Sequence, residues 1–140
     1  MTHTEAELAY FAGIMDADGC FNINRTGALP RCDYNIRIQV MNTSKDLTDW
    51  LQGQFGGHVY ERASKHGWKT RFEWFLGRQA IPDIVAAIRP YLVIKHRQAD
   101  LALSFRKSFE RRHHPLPQKI RVFREDCYLQ MKALNAKGQQ

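Results

Sequence analysis

The chain has 140 residues, 44% of them hydrophobic, which is enough for one compact domain with a real core. Its 21 lysines and arginines exceed its 14 aspartates and glutamates, and the net charge of +7 favours a polyanionic partner. The sequence contains no apolar run long enough to span a membrane, and its first residues lack the pattern of a secretory signal. The three cysteines form no Cys-x-x-Cys pair, so we expect a reducing, intracellular location and no structural zinc.

The first predicted element is an amphipathic helix at the start of the chain. Leu8, Phe11 and Met15 recur at helical spacing, and Thr4 with Glu7 fits a capping box. A second stripe carries small residues one turn apart, which permit the close approach of another helix; it consists of Ala9, Ala12, Gly13 and Asp16. The helix leads directly into an Asp-Ala-Asp-Gly sequence. Taken alone, that sequence is typical of a solvent-exposed turn that ends a core helix.

The remaining elements follow in a regular order. Alternation of apolar and polar residues predicts strands over residues 20–26, 33–41, 58–63 and 69–76. Between the two strand pairs, Thr43 is expected to cap a helix over residues 44–54. Further helices are expected from Ile81 to Ile88, over residues 94–109 and over residues 118–135. The sequence therefore predicts a single α+β domain of order αββαββα over residues 1–140, with the C-terminal helices packed on it.

One face of the predicted sheet is rich in amide and guanidinium side chains. Such groups make paired hydrogen bonds to base edges in the major groove, whereas lysine and glutamate are commoner on a plain solvated surface. An antiparallel sheet can also have a polar face that only contacts water. This simpler interpretation of the polar residues stays open. The residues concerned are Asn22, Asn24, Asn35, Arg37, Gln39, Arg62 and Arg71.

Residues 11–19, Phe-Ala-Gly-Ile-Met-Asp-Ala-Asp-Gly, closely resemble the signature of the LAGLIDADG homing endonucleases. In that family the motif helix forms the interface between two related halves, and its last acidic residue binds the catalytic divalent metal. The resemblance gives the metal-binding role to Asp18, with the Ala17 carbonyl as a second ligand. It implies a homodimer, because one chain carries one motif, with an interface formed by Ala9, Ala12, Gly13 and Asp16.

The resemblance also implies the remaining parts of the site. The segment 89–101 is similar to a family segment whose lysine lies near the active site, which is Lys95 here. Asn42 matches a position whose polar group arranges metal-bound water, although it is equally suited to cap the following helix. The expected cofactor is Mg²⁺, with Mn²⁺ as a substitute and Ca²⁺ binding without cleavage; no organic cofactor is expected.

In this family the sheet forms a saddle over double-stranded DNA, and its outward side chains read the major groove. The resemblance therefore implies DNA contacts by the polar residues given above, and adds Thr26, Asp33, His58, Tyr60 and Glu73 to them. The histidines of the chain lack metal-ligand spacing and are expected to be exposed or to face DNA.

The function implied is that of a site-specific homing endonuclease. Such an enzyme hydrolyses both strands of a long, roughly palindromic site and leaves staggered 3′ overhangs, alongside the DNA of its host genome or organelle. The alternative is a binding protein on the same scaffold that does not cleave, either an intron RNA maturase or a DNA-binding regulator. A metabolic enzyme using Asp16 and Asp18 as acid and base would need an apolar pocket that the strands do not indicate.

Overall fold

Helices and strands follow one another in the order that the sequence predicts. The computed structural model describes residues 2–65, 67, 69–112 and 114–136. The elements are α1 (Glu5–Asp18), β1 (Gly19–Thr26), β2 (Asp33–Asn42), α2 (Lys45–Phe55), β3 (His58–Arg62), β4 (Arg71–Leu76), α3 (Ile81–Ile88), a 3₁₀ turn (Arg89–Tyr91), α4 (His96–Lys107) and α5 (Gln118–Leu134). The predicted α+β class and αββαββα order are confirmed, and α4 and α5 are the additional helices.

The four strands form one antiparallel sheet of order β1-β2-β4-β3. Its inner face is apolar and packs against the helices, with Phe21, Ile38 and Trp74 fully buried. The Trp74 ring meets Phe11 of α1 edge-on at 5.5 Å, and its indole N–H donates to the Gly56 carbonyl at 2.8 Å. The motif helix is therefore fixed to the middle of the sheet by the core itself.

The last helix, α5, covers the edge strand β1. Glu125 of α5 accepts hydrogen bonds from the Arg25 guanidinium at 2.7 Å and from the Tyr34 hydroxyl at 2.5 Å. These two donors lower the pKa of Glu125, the Tyr34 bond being the larger cause. Asn135 donates to the Phe21 carbonyl at 2.8 Å just beyond the helix. The edge strand is thus held from its inner side, and its outer face stays free.

Several predicted boundaries are wrong by a few residues. Ser44, not Thr43, caps α2, because β2 continues to Asn42 and the turn comes later; the Ser44 hydroxyl accepts from the Leu47 N–H. The fourth helix begins at His96 and ends at Lys107, inside the predicted 94–109. The predicted capping box of Thr4 and Glu7 is confirmed. His113 and the loop residues His66 and Trp68 lie outside the described residues.

Within the described residues, no helix combines the length and the apolar character needed to cross a membrane. The cysteines Cys20, Cys32 and Cys127 are all free thiols, and burial raises the pKa of Cys127 to about 11.

Two glycines provide a test of the packing at the start of β3. Gly57 has a φ of +90°, and a Cβ there would collide with the Phe75 carbonyl. Gly57→Ala should therefore lower the free energy of unfolding by at least about 1–2 kcal/mol, the cost of a left-handed alanine. Gly53→Ala lies on an exposed part of α2 with open space around it and should raise the stability by up to about 1 kcal/mol. Urea unfolding of the two variants measures both changes, and equal effects would contradict this account of Gly57.

Candidate active site and nucleic-acid interface

The two helix-ending aspartates and their neighbours meet where α1 passes into β1. Asp18 is the last residue of α1 and is exposed. The Asn42 side-chain amide, at the end of β2, donates to Asp18 Oδ2 at 3.0 Å. The side-chain oxygen of Asn42, Oδ1, accepts the Ser44 backbone N–H at 2.8 Å, so both ends of the side-chain amide are held. Asn42 therefore orients the Asp18 carboxylate and does not cap α2.

Lys95 lies at the same junction, although it is distant in sequence. Its residue is 8% exposed, and its Nζ donates to the Gly19 carbonyl, next to Asp18 in the chain. A buried ammonium group is rare unless it is paired, and here a backbone carbonyl is its partner. The structure thus brings together Asp18, Asn42 and Lys95, three residues that the sequence predicts to share a site.

Asp16 has a role that the sequence does not predict. Its carboxylate accepts the backbone N–H groups of Val93, Ile94 and Lys95 at 2.9, 3.2 and 3.0 Å. These groups lie at the N-terminal end of α4, where the helix dipole favours an anion. The expected interface role of Asp16 stays a prediction; within the chain, its charged group binds the segment before α4 and positions Lys95.

The junction fits a divalent cation only in part. Asp18 and Ala17 lie in the last turn of α1, where unpaired carbonyl groups and the negative end of the helix dipole favour a cation. Carboxylate and carbonyl oxygens are the ligands that Mg²⁺ prefers. Over the described part of the chain, no group of three or more histidine, cysteine, aspartate or glutamate side chains could hold a metal ion. One chain therefore offers a partial oxygen site that further ligands must complete.

The outward face of the sheet begins beside this junction. The alternation is as predicted, and the register places Asn22 opposite Arg37, Asn24 opposite Asn35 and Thr26 opposite Asp33. On the other strand pair, Tyr60 lies opposite Glu73 and Arg62 opposite Arg71. The exposed members of this face are Asn24, Thr26, Asp33, Asn35, His58, Tyr60, Arg62 and Arg71, while Asn22, Arg37 and Gln39 are partly buried.

Glu73 is not available as a direct DNA contact, which corrects one prediction. It is 3% exposed, and its carboxylate is bound by two arginines of the same face. Arg62 donates from Nε at 3.0 Å, and an Arg37 guanidinium nitrogen lies 3.5 Å from the other oxygen. Sequence reasoning also overlooked Phe75 as part of this face; its ring stacks with Tyr60 and packs against His58 at a tilt, each with ring centroids 5.4 Å apart. The alternation of β4 places Phe75 on the same face as Arg71 and Glu73, and this pattern could have identified it.

Two of the four members of the small-residue stripe of α1 are exposed, Asp16 is half-buried and Ala12 is buried. Ala9 and Gly13 face solvent, together with Tyr10 and Ala17. A Cβ added at Gly13 would meet no atom within 4 Å. Ala12 is fully buried in the chain's own core, so the prediction that it contributes to an interface is wrong. The free surface of α1 is therefore narrower than predicted and is centred on Gly13.

No protein-family model and no curated protein matches this chain. Solved structures of homing endonucleases do match it across nearly its whole length. I-CvuI, in complex with the I-CreI target in the presence of Mg, has 19% identity and a TM-score of 0.77, covering 97% of this chain and 86% of that one. The archaeal intron-encoded I-Vdi141I, complexed with DNA, has 11% identity and a TM-score of 0.78, covering 96% and 87%.

I-TnaI, a further homing endonuclease, has 16% identity and a TM-score of 0.74, covering 99% of this chain and 92% of that one. At these identities the likeness establishes the fold. The chain has the fold of the LAGLIDADG homing endonucleases, as the nine residues 11–19 predict.

The role of Asp16 can be measured by hydrogen exchange. Asp16→Asn keeps the size of the side chain but removes its charge and leaves only one acceptor oxygen for three N–H groups. Hydrogen bonds to a charged group contribute about 1.5–3 kcal/mol, so the amides of Val93, Ile94 and Lys95 should exchange at least about tenfold faster. Asp49→Asn removes the same charge from an exposed ion pair on α2 and should leave these amides unchanged. Equal protection in the two variants would contradict the assignment.

Proposed function

We propose that the protein is a site-specific homing endonuclease that acts as a homodimer on double-stranded DNA. The observation that carries this proposal is the meeting of Asp18, Asn42 and Lys95 at one edge of a polar, arginine-rich sheet face. A carboxylate, an amide and an ammonium group at that place suit hydrolysis of a phosphodiester bond held on the sheet. The enzyme would act inside the cell, on the DNA of its host genome or organelle.

The sheet face supports recognition of a duplex. Asparagine, glutamine and arginine make bidentate contacts with adenine and guanine, and the positive charge favours the phosphates. The structures of I-CvuI and I-Vdi141I contain DNA, which is consistent with this use of the fold. The polar side chains of β1 to β4 would therefore lie in the major groove.

Asp18 and the Ala17 carbonyl would hold Mg²⁺, with phosphate and water oxygens completing its ligands. When bound, such an ion neutralises phosphate charge and makes water more acidic. The I-CvuI structures were obtained with Mg and with Ca, which supports a divalent ion in this fold. We expect Mn²⁺ to replace Mg²⁺ and Ca²⁺ to support binding only.

The chain's own residues would contribute orientation and charge. Asn42 holds one oxygen of Asp18 at 3.0 Å, so the carboxylate does not need to be ordered during the reaction. An ammonium group has three N–H donors, and the Gly19 carbonyl occupies one donor of Lys95. The others can stabilise negative charge that develops on the phosphate or the leaving oxygen.

Cleavage of both strands requires two such sites, which two copies of the chain would supply. The exposed Ala9 and Gly13 permit close packing of two α1 helices about a two-fold axis. Val93 is 79% exposed and Ile94 is 45% exposed, and both are held beside α1 by Asp16. This apolar surface would extend the contact. A symmetric dimer would favour a roughly palindromic site and a staggered cut with 3′ overhangs.

Asp18→Asn tests the chemistry. It removes a metal-binding charge while keeping the volume, so cleavage should fall by at least about a thousandfold and DNA binding should persist. Duplexes selected from a randomised library in Ca²⁺ give the binding probe. The same duplexes, cloned in a supercoiled plasmid with Mg²⁺, give the cleavage probe.

Asp126→Asn is the matched control, because Asp126 is exposed on α5, away from this junction. It should cut like the unmodified protein. If the unmodified protein bound the selected duplexes but never cut them with Mg²⁺ or Mn²⁺, the non-cleaving alternative would replace the proposal.

Gly13→Leu tests the assembly. The single chain has open space at this position, so the variant should fold, but the new side chain would keep two α1 helices apart. We expect sedimentation to show a shift from dimer to monomer, and double-strand cleavage to fall in parallel.

Gly53→Leu places the same side chain on an exposed part of α2, where it also meets open space. It should remain dimeric. A Gly13→Leu variant that still sedimented as a dimer would show that the interface lies elsewhere.

A further inference from the structure

A buried carboxylate lies in the middle of the outward face of the sheet. Glu73 is surrounded by polar residues of β2 and β3, yet it is 3% exposed. Both nitrogens that Arg62 presents, Nε at 3.0 Å and a terminal nitrogen at 2.9 Å, approach the same Glu73 oxygen. Arg37 approaches the other oxygen at 3.5 Å. The carboxylate therefore holds two guanidinium groups side by side.

An aromatic ring supports one of these guanidinium groups, that of Arg37. The Arg37 guanidinium carbon lies 5.0 Å from the centroid of the Phe75 ring. Tyr60 stacks on that ring and His58 packs against it at a tilt, both at 5.4 Å between ring centroids, so the ring has little freedom to move. An arginine over an aromatic face is attracted by the ring. Because its side chain is already ordered, it loses less rotamer entropy when a ligand binds.

The cluster retains two polar atoms that have no hydrogen-bond partner among the described residues. Arg37 Nε and Gln39 Oε1 are buried, and neither forms a hydrogen bond with the residues that the structure describes. Leaving a buried polar atom unpaired costs about 1–3 kcal/mol. Atoms of this kind in a native structure call for an explanation, and a ligand that approaches this face would provide one.

We propose that Glu73 is a positioning residue that, with Phe75, orients Arg37 and Arg62 to read guanine in the target DNA. This inference rests on the proposed function. Bidentate recognition of guanine requires the guanidinium edge to point into the groove in one orientation. Glu73 engages one side of each guanidinium and leaves its other donors for the base. Specificity at these base pairs would then depend on a residue that does not touch DNA.

A simpler role for Glu73 is to reduce the positive charge of the face. The two roles predict different results. A charge effect would change affinity for every duplex alike, whereas a positioning effect would change the preference for guanine at particular base pairs. Glu61 makes the distinction measurable, because it is the exposed carboxylate next to Tyr60 on the opposite side of β3.

The experiment is selection of duplexes from a randomised library in Ca²⁺, followed by sequencing of the bound pool. Four proteins are compared: the unmodified chain, Glu73→Gln, Arg37→Lys and Glu61→Gln. Glu73→Gln keeps the volume of the side chain but turns an N–H donor toward one of the arginines. Arg37→Lys keeps the charge but cannot bind guanine bidentately.

We expect Glu73→Gln and Arg37→Lys to lose guanine preference about tenfold at a shared base pair. Glu73→Gln should also bind unselected duplexes more tightly, because one negative charge is lost. Glu61→Gln removes the same charge and should keep the guanine preference of the unmodified chain. Thermal unfolding of each variant establishes that it is folded before selection.

Two results would overturn the inference. One is a Glu73→Gln protein that keeps every base preference of the unmodified chain. The other is a Glu73→Gln protein that loses preference at base pairs different from those affected by Arg37→Lys. If Glu73→Gln fails to fold, Phe75→Leu takes its place, and the same comparison with Arg37→Lys is made. Failure of the proposed DNA recognition gives a separate result: the unmodified chain would enrich no duplex at all. Failure of cleavage alone would leave the enriched duplexes uncut and would not affect this comparison.

Discussion

The site depends on the capture of three backbone N–H groups by the carboxylate of Asp16. The bonds join residues separated by 77 to 79 positions, the end of α1 and the start of α4. Without them, Lys95 would belong to an exposed turn, where lysine is normally solvated. With them, its ammonium group reaches the Gly19 carbonyl and lies beside Asp18. One carboxylate of the motif thus fixes the start of α4 beside α1, and the other, Asp18, stays exposed and is oriented by Asn42.

On the outward face of the sheet, Glu73 and Phe75 reduce the repulsion between arginines and order their side chains. The arginines of this face repel one another, since Arg62 and Arg71 lie directly opposite in the register. Glu73 offsets part of that repulsion and holds two of the guanidinium groups, and Phe75 limits their motion. The face consequently has less free positive charge than its composition indicates. It is better ordered than a set of independent surface arginines would be.

Local patterns in the sequence were sufficient for the fold. The helical spacing of Phe11 and Met15 and the period-two alternation of the strands depend only on near neighbours, and both correctly identified the buried faces. The errors arose where the answer depends on distant contacts. Ala12 has the size of an interface residue but is covered by the core, and Glu73 has the chemistry of a base contact but is bound by two arginines. Asp16 could not be interpreted without knowing that residues 93–95 lie beside it.

The proposed assembly and the proposed chemistry would both depend on helix α1. Gly13 and Asp18 are five residues apart on α1, about 7.5 Å along its axis. If two copies packed these helices roughly parallel about a two-fold axis at Gly13, as proposed, the two Asp18 carboxylates would lie near that axis. The single chain has only a partial oxygen site, and the carboxylates would repel one another unless cations lay between them. DNA and metal would thus stabilise the assembly that they require, and the dimer would be favoured most when it is on its target.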